Sequence, residues 1–196
     1  NDANDANSAD VLTLGSTNTG SSATLLLAGA GFPNPIVLAA GAQGTLTIGG
    51  DPDATAHPAI TGPAINLNGN DLTFIAPFGS SGNSDVKNGG TGTGNLTLVQ
   101  NGFGTVINNG AYDNSGFITM QGTGTGSFNL GTLTTNITTF NYDSSSATVT
   151  APTINVNNNG TIINSTSSLN LPAVGGITIG NDGKQLGLSP RVRGNL

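Results

Sequence analysis

Short apolar runs recur from end to end of the chain, and many of them alternate apolar with polar residues. The first half carries Val11-Leu12-Thr13-Leu14, Thr24-Leu25-Leu26-Leu27, Ile36-Val37-Leu38, Thr45-Leu46-Thr47-Ile48, Ile65-Asn66-Leu67 and Leu72-Thr73-Phe74-Ile75. The second half continues with Leu96-Thr97-Leu98-Val99, Thr105-Val106-Ile107, Phe117-Ile118-Thr119-Met120 and Phe128-Asn129-Leu130. Thr148-Val149-Thr150, Ile154-Asn155-Val156, Thr161-Ile162-Ile163, Leu169-Asn170-Leu171 and Ile177-Thr178-Ile179 complete the series. A period of two is the mark of a strand with one buried face. Between the runs lie Asn68-Gly69, Asn101-Gly102, Asn109-Gly110 and Asn159-Gly160. Asn and Gly tolerate positive φ, so these dipeptides turn the chain with little strain.

The runs are short, with two or three inward residues each. A sandwich needs strands of about 5–6 residues and larger anchors. A parallel β-helix needs less, because each short strand pairs with its equivalent in the next coil. The expected fold is therefore all-β: a single-domain parallel β-helix, or β-solenoid, over 1–183. Two or three strands per coil give a coil of roughly 20–25 residues and about eight coils spaced ~4.8 Å apart. An antiparallel β-sandwich is the alternative. Loops are expected near 49–63, which holds three Pro and the only His, and near 79–94, which is polar and Gly-rich. Residues 184–196 read as a basic C-terminal tail.

Composition sharpens this picture. Gly, Asn, Thr and Ser supply 31, 26, 27 and 16 of the 196 residues. Asn and Gly are poor helix formers, whereas Thr suits strands. Charge is sparse, with ten Asp, no Glu, two Lys, two Arg and a net charge of −6. Disordered chains of low hydrophobicity usually carry more charge and fewer β-branched residues. The acidic balance also lacks the basic stripe that neutralises phosphates, so no nucleic-acid partner is expected. No apolar run approaches the ~20 residues of a membrane-spanning helix, so no membrane insertion is expected. The absence of Cys excludes thiol chemistry and Cys-based metal sites. No signal peptide is visible at Asn1. For a secreted protein the expectation is that it has been removed.

Gly94-Asn95-Leu96-Thr97-Leu98, Gly104-Thr105-Val106-Ile107-Asn108-Asn109-Gly110 and Ser115-Gly116-Phe117-Ile118 share a pattern, echoed by Thr161-Ile162-Ile163-Asn164-Ser165. The pattern resembles the repeats of bacterial autotransporter passengers and filamentous haemagglutinin-like adhesins, over about residues 36–180. The resemblance implies a right-handed parallel β-helix, export to the bacterial cell surface, and adhesion or matrix building. It transfers no catalytic residue. This chain is shorter than such passengers usually are and lacks a membrane-barrel segment with aromatic girdles.

Candidate chemistry is thin. His57 stands beside Pro58 in a loop, no Gly-x-Ser-x-Gly elbow occurs, and no enzyme is expected. Asp51, Asp53, Asp113 and Asp143 are too few for a six-oxygen calcium site and read as turn residues at strand ends. No cofactor or metal is expected. The Thr-x-Thr pairs Thr45/Thr47, Thr91/Thr93, Thr123/Thr125 and Thr148/Thr150 are unevenly spaced, which argues against a flat ice-binding face.

The termini are the most asymmetric feature. Asp2, Asp5 and Asp10 make the start acidic, while Lys184, Arg191 and Arg193 make the end basic. A solenoid also ends in open coils. The expected function is a non-enzymatic extracellular structural protein that assembles with itself, head to tail, into a filament or surface matrix. An adhesin module binding a host protein or glycan is the alternative, and a carbohydrate-active β-helix enzyme a remote one.

Overall fold

The computed structural model describes residues 10–17, 20–28, 31–50, 59–76, 84–107, 110–124, 127–129, 132–133, 136–144, 148–150, 154–156, 162–165, 169–170, 177–179 and 186–188. Every regular element among them is a strand, and every strand pair is parallel. The chain is a β-solenoid. The antiparallel sandwich is overturned, because neighbouring strands come from successive coils and run the same way.

Three ladders form the walls. The first contains Leu12–Leu14, Ile36–Leu38, Ile65–Asn66, Gly90–Thr93 and the start of the long strand Ala111–Gly122, which then pairs with Thr132–Leu133. The second contains Ala23–Leu27, Leu46–Gly50, Leu72–Ala76, Leu96–Gln100, the end of Ala111–Gly122, Ile137–Ser144, Ile162–Ser165 and Leu186–Leu188. The third runs Ala59–Ile60, Ser84–Val86, Thr105–Ile107, Ser127–Asn129, Thr148–Thr150 and Leu169–Asn170. From Ile36 to Ser144 the ladders are visited in the order first, second, third, once per coil. The register of the second ladder (Ala23 on Leu46, Leu46 on Leu72, Leu72 on Leu96, Leu96 on Ile118) sets a coil of 22–26 residues.

The core follows from that register. Inward positions stack in columns such as Leu25, Ile48, Phe74, Leu98 and Met120. From Ile48 to Met120 this column is fully buried. Small aliphatics suffice because each side chain packs on the same position one coil away. Among the described residues, Tyr112 is the largest fully buried side chain. It precedes Asp113 as Gly90 precedes Thr91, and Asp113 pairs with Thr91. Gly90, a residue without a side chain, is therefore the register neighbour of Tyr112 one coil back.

Corners are fixed by polar side chains reaching one coil along. The Asp71 carboxylate accepts from the Asn95 amide at 3.0 Å, and the Asn95 side-chain oxygen accepts from the Phe117 amide at 2.8 Å. Buried Asn70 donates through Nδ2 to the carbonyls of Ala39 and Leu67, both at 3.0 Å. Asn114, also buried, donates to the Gly94 carbonyl at 2.9 Å. Such bonds satisfy backbone groups that a corner leaves out of the ladders.

Three expected boundaries move. The polar stretch 79–94 is not wholly a loop: Ser84–Val86 and Gly90–Thr93 are strands. Gly90–Thr93 has no apolar residue, yet it sits between Ile65–Asn66 and residues 113–115, so pairing on both edges forms it. The segment 49–63 gives Gly49 and Gly50 to one strand and Ala59–Ile60 to another, with 51–58 outside the described residues. Leu186–Leu188, within the expected tail, pairs with residues 163–165 and carries the second ladder past residue 183.

Candidate functional site

Among the six residues singled out for self-association, only Asp10 is described. Asp2, Asp5, Lys184, Arg191 and Arg193 lie outside the described residues. Asp10 is exposed, and its carbonyl accepts from Asn34 Nδ2 at 3.0 Å, which ties the chain just before the first strand to the next coil.

The open edge itself is visible. Leu12–Leu14 and Ala23–Leu27 open the first and second ladders, and each pairs with one strand only among the described residues. Their inward residues Leu12, Ala23 and Leu25 are only partly buried. Their partners one coil on, Ile36, Leu46 and Ile48, are 1%, 1% and 0% exposed. Among the described residues, the same columns are thus covered on both sides in the second coil and on one side in the first. Val11 and Leu26 stand 57% and 54% exposed beside this edge. At the other end of the second ladder, Leu186–Leu188 pairs only with Ile162–Ser165 among the described residues. Among the described residues, the second ladder therefore begins and ends in a strand paired on one side only. The signal in the sequence is the pair of runs ATLLL and LGL; their place at the ends of the described ladder is not legible there.

An open groove of about 610 Å³ lies beside the corner that enters the second ladder. Ser22, Gln43, Thr45, Asp71 and Thr73 are among the residues lining it, offering hydroxyl, amide and carboxylate groups. Among the described residues no three His, Cys, Asp or Glu groups converge. His57, Asp51 and Asp53 lie outside the described residues. Asp113 is not a turn residue: it sits inside Ala111–Gly122, and its carboxylate accepts from Asn136 Nδ2 at 2.8 Å. Asp143 is likewise within a strand, paired with Gln121.

Among the described residues, Asp85 is a titratable group held away from its ordinary state. Burial pushes its carboxyl above 3.8, and the Lys87 ammonium opposes the rise. Its Oδ1 is buried without a hydrogen-bond partner among the described residues. The folded chain therefore holds this proton more tightly than the unfolded chain. The stability contributed by neutral Asp85 is complete below 3.8 and is lost as pH rises through the higher folded value. Asp85→Asn should remove this loss. Its midpoint should exceed that of the parent chain at neutral pH, with the gap closing in acid. Denaturation of both chains across that range checks the sign, and a gap that widens in acid would contradict it.

Compared with protein-family models, curated proteins and solved structures, the chain matches none.

Proposed function

We propose that this protein is a non-enzymatic structural subunit that acts outside the bacterial cell and assembles head to tail, the last coil of one copy docking on the first coil of the next. The observation that carries this reading is the partly buried inward set Leu12, Ala23 and Leu25 of the first coil, whose two strands pair on one side only among the described residues. A free strand edge is a template for further pairing. The second ladder supplies a matching pair of ends, Ala23–Leu27 and Leu186–Leu188, with the same parallel sense. Docking one on the other continues the coil repeat and does not close, so it yields a filament. Strand pairing and apolar burial supply the affinity. Ion pairs from Asp2, Asp5 and Asp10 to Lys184, Arg191 and Arg193 would add only about 0–1 kcal/mol each and weaken with salt.

The test is sedimentation and electron microscopy of the purified chain beside a Leu25→Lys variant. Leu25 lies in the first coil, so a charge there obstructs docking while the coils beyond keep their contacts. The expected result is concentration-dependent filaments for the parent and monomers of unchanged circular dichroism for the variant. A parent chain that stays monomeric at high concentration defeats the proposal.

A second reading is an adhesin module, favoured by the groove at Gln43, Thr45 and Asp71. Hydroxyl, amide and carboxylate groups in an open groove suit a glycan. Glycan-array binding that Asp71→Ala abolishes, in a chain that forms no filaments, would favour it.

A further inference from the structure

The outward face of the second ladder carries a column that the sequence conceals. Thr24 pairs with Thr47, Thr47 with Thr73, Thr73 with Thr97 and Thr97 with Thr119. Five threonines thus stand in one line, one per coil, in unbroken register. Of these five only Thr47 belongs to the Thr-x-Thr pairs of the sequence. Thr91 belongs to the first ladder, where it pairs with Asn66 and Asp113, and Thr45 precedes the second. What lines the five up is the coil length, which varies between 22 and 26 residues and so hides the repeat.

The setting of the column is as regular as the column. Thr47, Thr73 and Thr97 each lie between two inward residues that are at most 1% exposed: Leu46 and Ile48, Leu72 and Phe74, Leu96 and Leu98. Their backbone is therefore held rigidly. Thr is β-branched, so its χ1 is restricted and hydroxyl and methyl positions repeat from coil to coil. Two residues further on, a second outward column holds Leu26, Gly49, Ile75, Val99 and Gln121. Neither column contains a charged side chain over these five coils; the exposed Asp71 lies outside them, two residues before Thr73, with its carboxylate held by the Asn95 amide.

A face with one period selects a ligand with the same period. Strands repeat every ~4.8 Å, and outward positions along a strand lie roughly 7 Å apart. Five such coils span an area on the order of 200–300 Å². A specific protein interface needs about 800 Å² per partner, so this face is too small to hold a folded protein by itself. Crystalline water meets the period without needing that area. Ice repeats its oxygens at nearly the interval of stacked strands. Hydroxyls at that interval anchor lattice waters, and the methyls between them leave their neighbours free to complete cages. A charged residue would hold its own hydration shell and break the array.

We propose that the threonine column of the second ladder is an ice-binding face, its ligand the ordered water layer of an ice crystal. This does not depend on filament formation, because the face belongs to a single copy.

The experiment is partition of the purified chain into slowly grown ice, with thermal hysteresis measured on the same samples. The parent chain should concentrate in the ice and hold crystals against growth below the melting point. Thr73→Lys combined with Thr97→Lys should lose both effects with its circular dichroism unchanged. Thr73→Ser combined with Thr97→Ser, which keeps hydroxyls and removes methyls, should weaken each without abolishing it. Thr93→Lys, at an exposed position of the first ladder, should keep both. A parent chain excluded from ice overturns the proposal. So does an equal loss in Thr93→Lys. Lateral dimers abolished by the double lysine variant, without ice partition, would assign the face to a second copy and also overturn it.

Discussion

Phe74→Ala should lower the unfolding free energy by about 3–5 kcal/mol, a large share of the ~5–15 kcal/mol that holds most domains together. Phe74 is fully buried and lies in register between Ile48 of the coil before and Leu98 of the coil after. Its removal withdraws contact from both neighbours at once. In a stacked repeat the stability is a sum of coil and interface terms, so one hole weakens two interfaces. The midpoint in urea, followed by circular dichroism, measures the loss. A shift equivalent to less than about 1 kcal/mol would contradict this packing, since that is what an exposed position gives.

The second large effect concerns backbone alone. Gly122 has φ +147°, and a Cβ built there overlaps the Gln100 carbonyl oxygen and falls 2.6 Å from its carbon. These are backbone atoms of the coil below, whose path is fixed because Gln100 is buried and bonded to the Gly102 amide and the Gly104 carbonyl. Gly122→Ala therefore has to push adjacent coils apart as well as adopt a disfavoured φ, which alone costs about 1–3 kcal/mol. The total loss should exceed ~3 kcal/mol. Gly41 is the internal control. Its φ is +70° and nothing lies within 4 Å of its added Cβ, so Gly41→Ala carries the conformational term only. Gly20 has neither constraint, and Gly20→Ala should be neutral or stabilise by about 0.4–1 kcal/mol. Equal losses at 122 and 41 would contradict the close stacking of coils.

The strands were legible where the side chains alternate, as at Leu46–Gly50 and Leu96–Gln100. There an outward Thr or Val separates inward aliphatics, and the period of two states which face is buried. Gly90–Thr93 was not legible, because its backbone pairs on both sides and its side chains contribute no pattern. Leu186–Leu188 was hidden for a related reason: three residues around a glycine, beside basic residues, carry too little signal alone. Asp113 illustrates the reverse error. Asp usually marks a turn, yet here it faces outward from a long strand and accepts a bond from Asn136.

Register is what the sequence conceals most, and both candidate sites depend on it. The free edge exists because Leu12, Ala23 and Leu25 have partners one coil on and none before among the described residues. The threonine line exists because Thr24, Thr47, Thr73, Thr97 and Thr119 fall on one outward column. Their spacings vary with the lengths of corners and loops, so no fixed period reveals them. The acidic and basic ends drew attention in the sequence because charge is scarce, whereas the stacking forces act through uncharged groups.

Engineered disulfides test the stacking most directly, since the chain has no cysteine of its own. Thr73 and Thr97 are register partners in adjacent parallel coils, about 4.8 Å apart, within the reach of a disulfide. Thr73 and Thr119 are two coils apart, roughly 10 Å, beyond that reach. Mild oxidation should link Thr73→Cys to Thr97→Cys within one chain and leave the Thr73→Cys, Thr119→Cys pair reduced. Failure of the first pair to link, or equal linking of both, would contradict a parallel solenoid in this register.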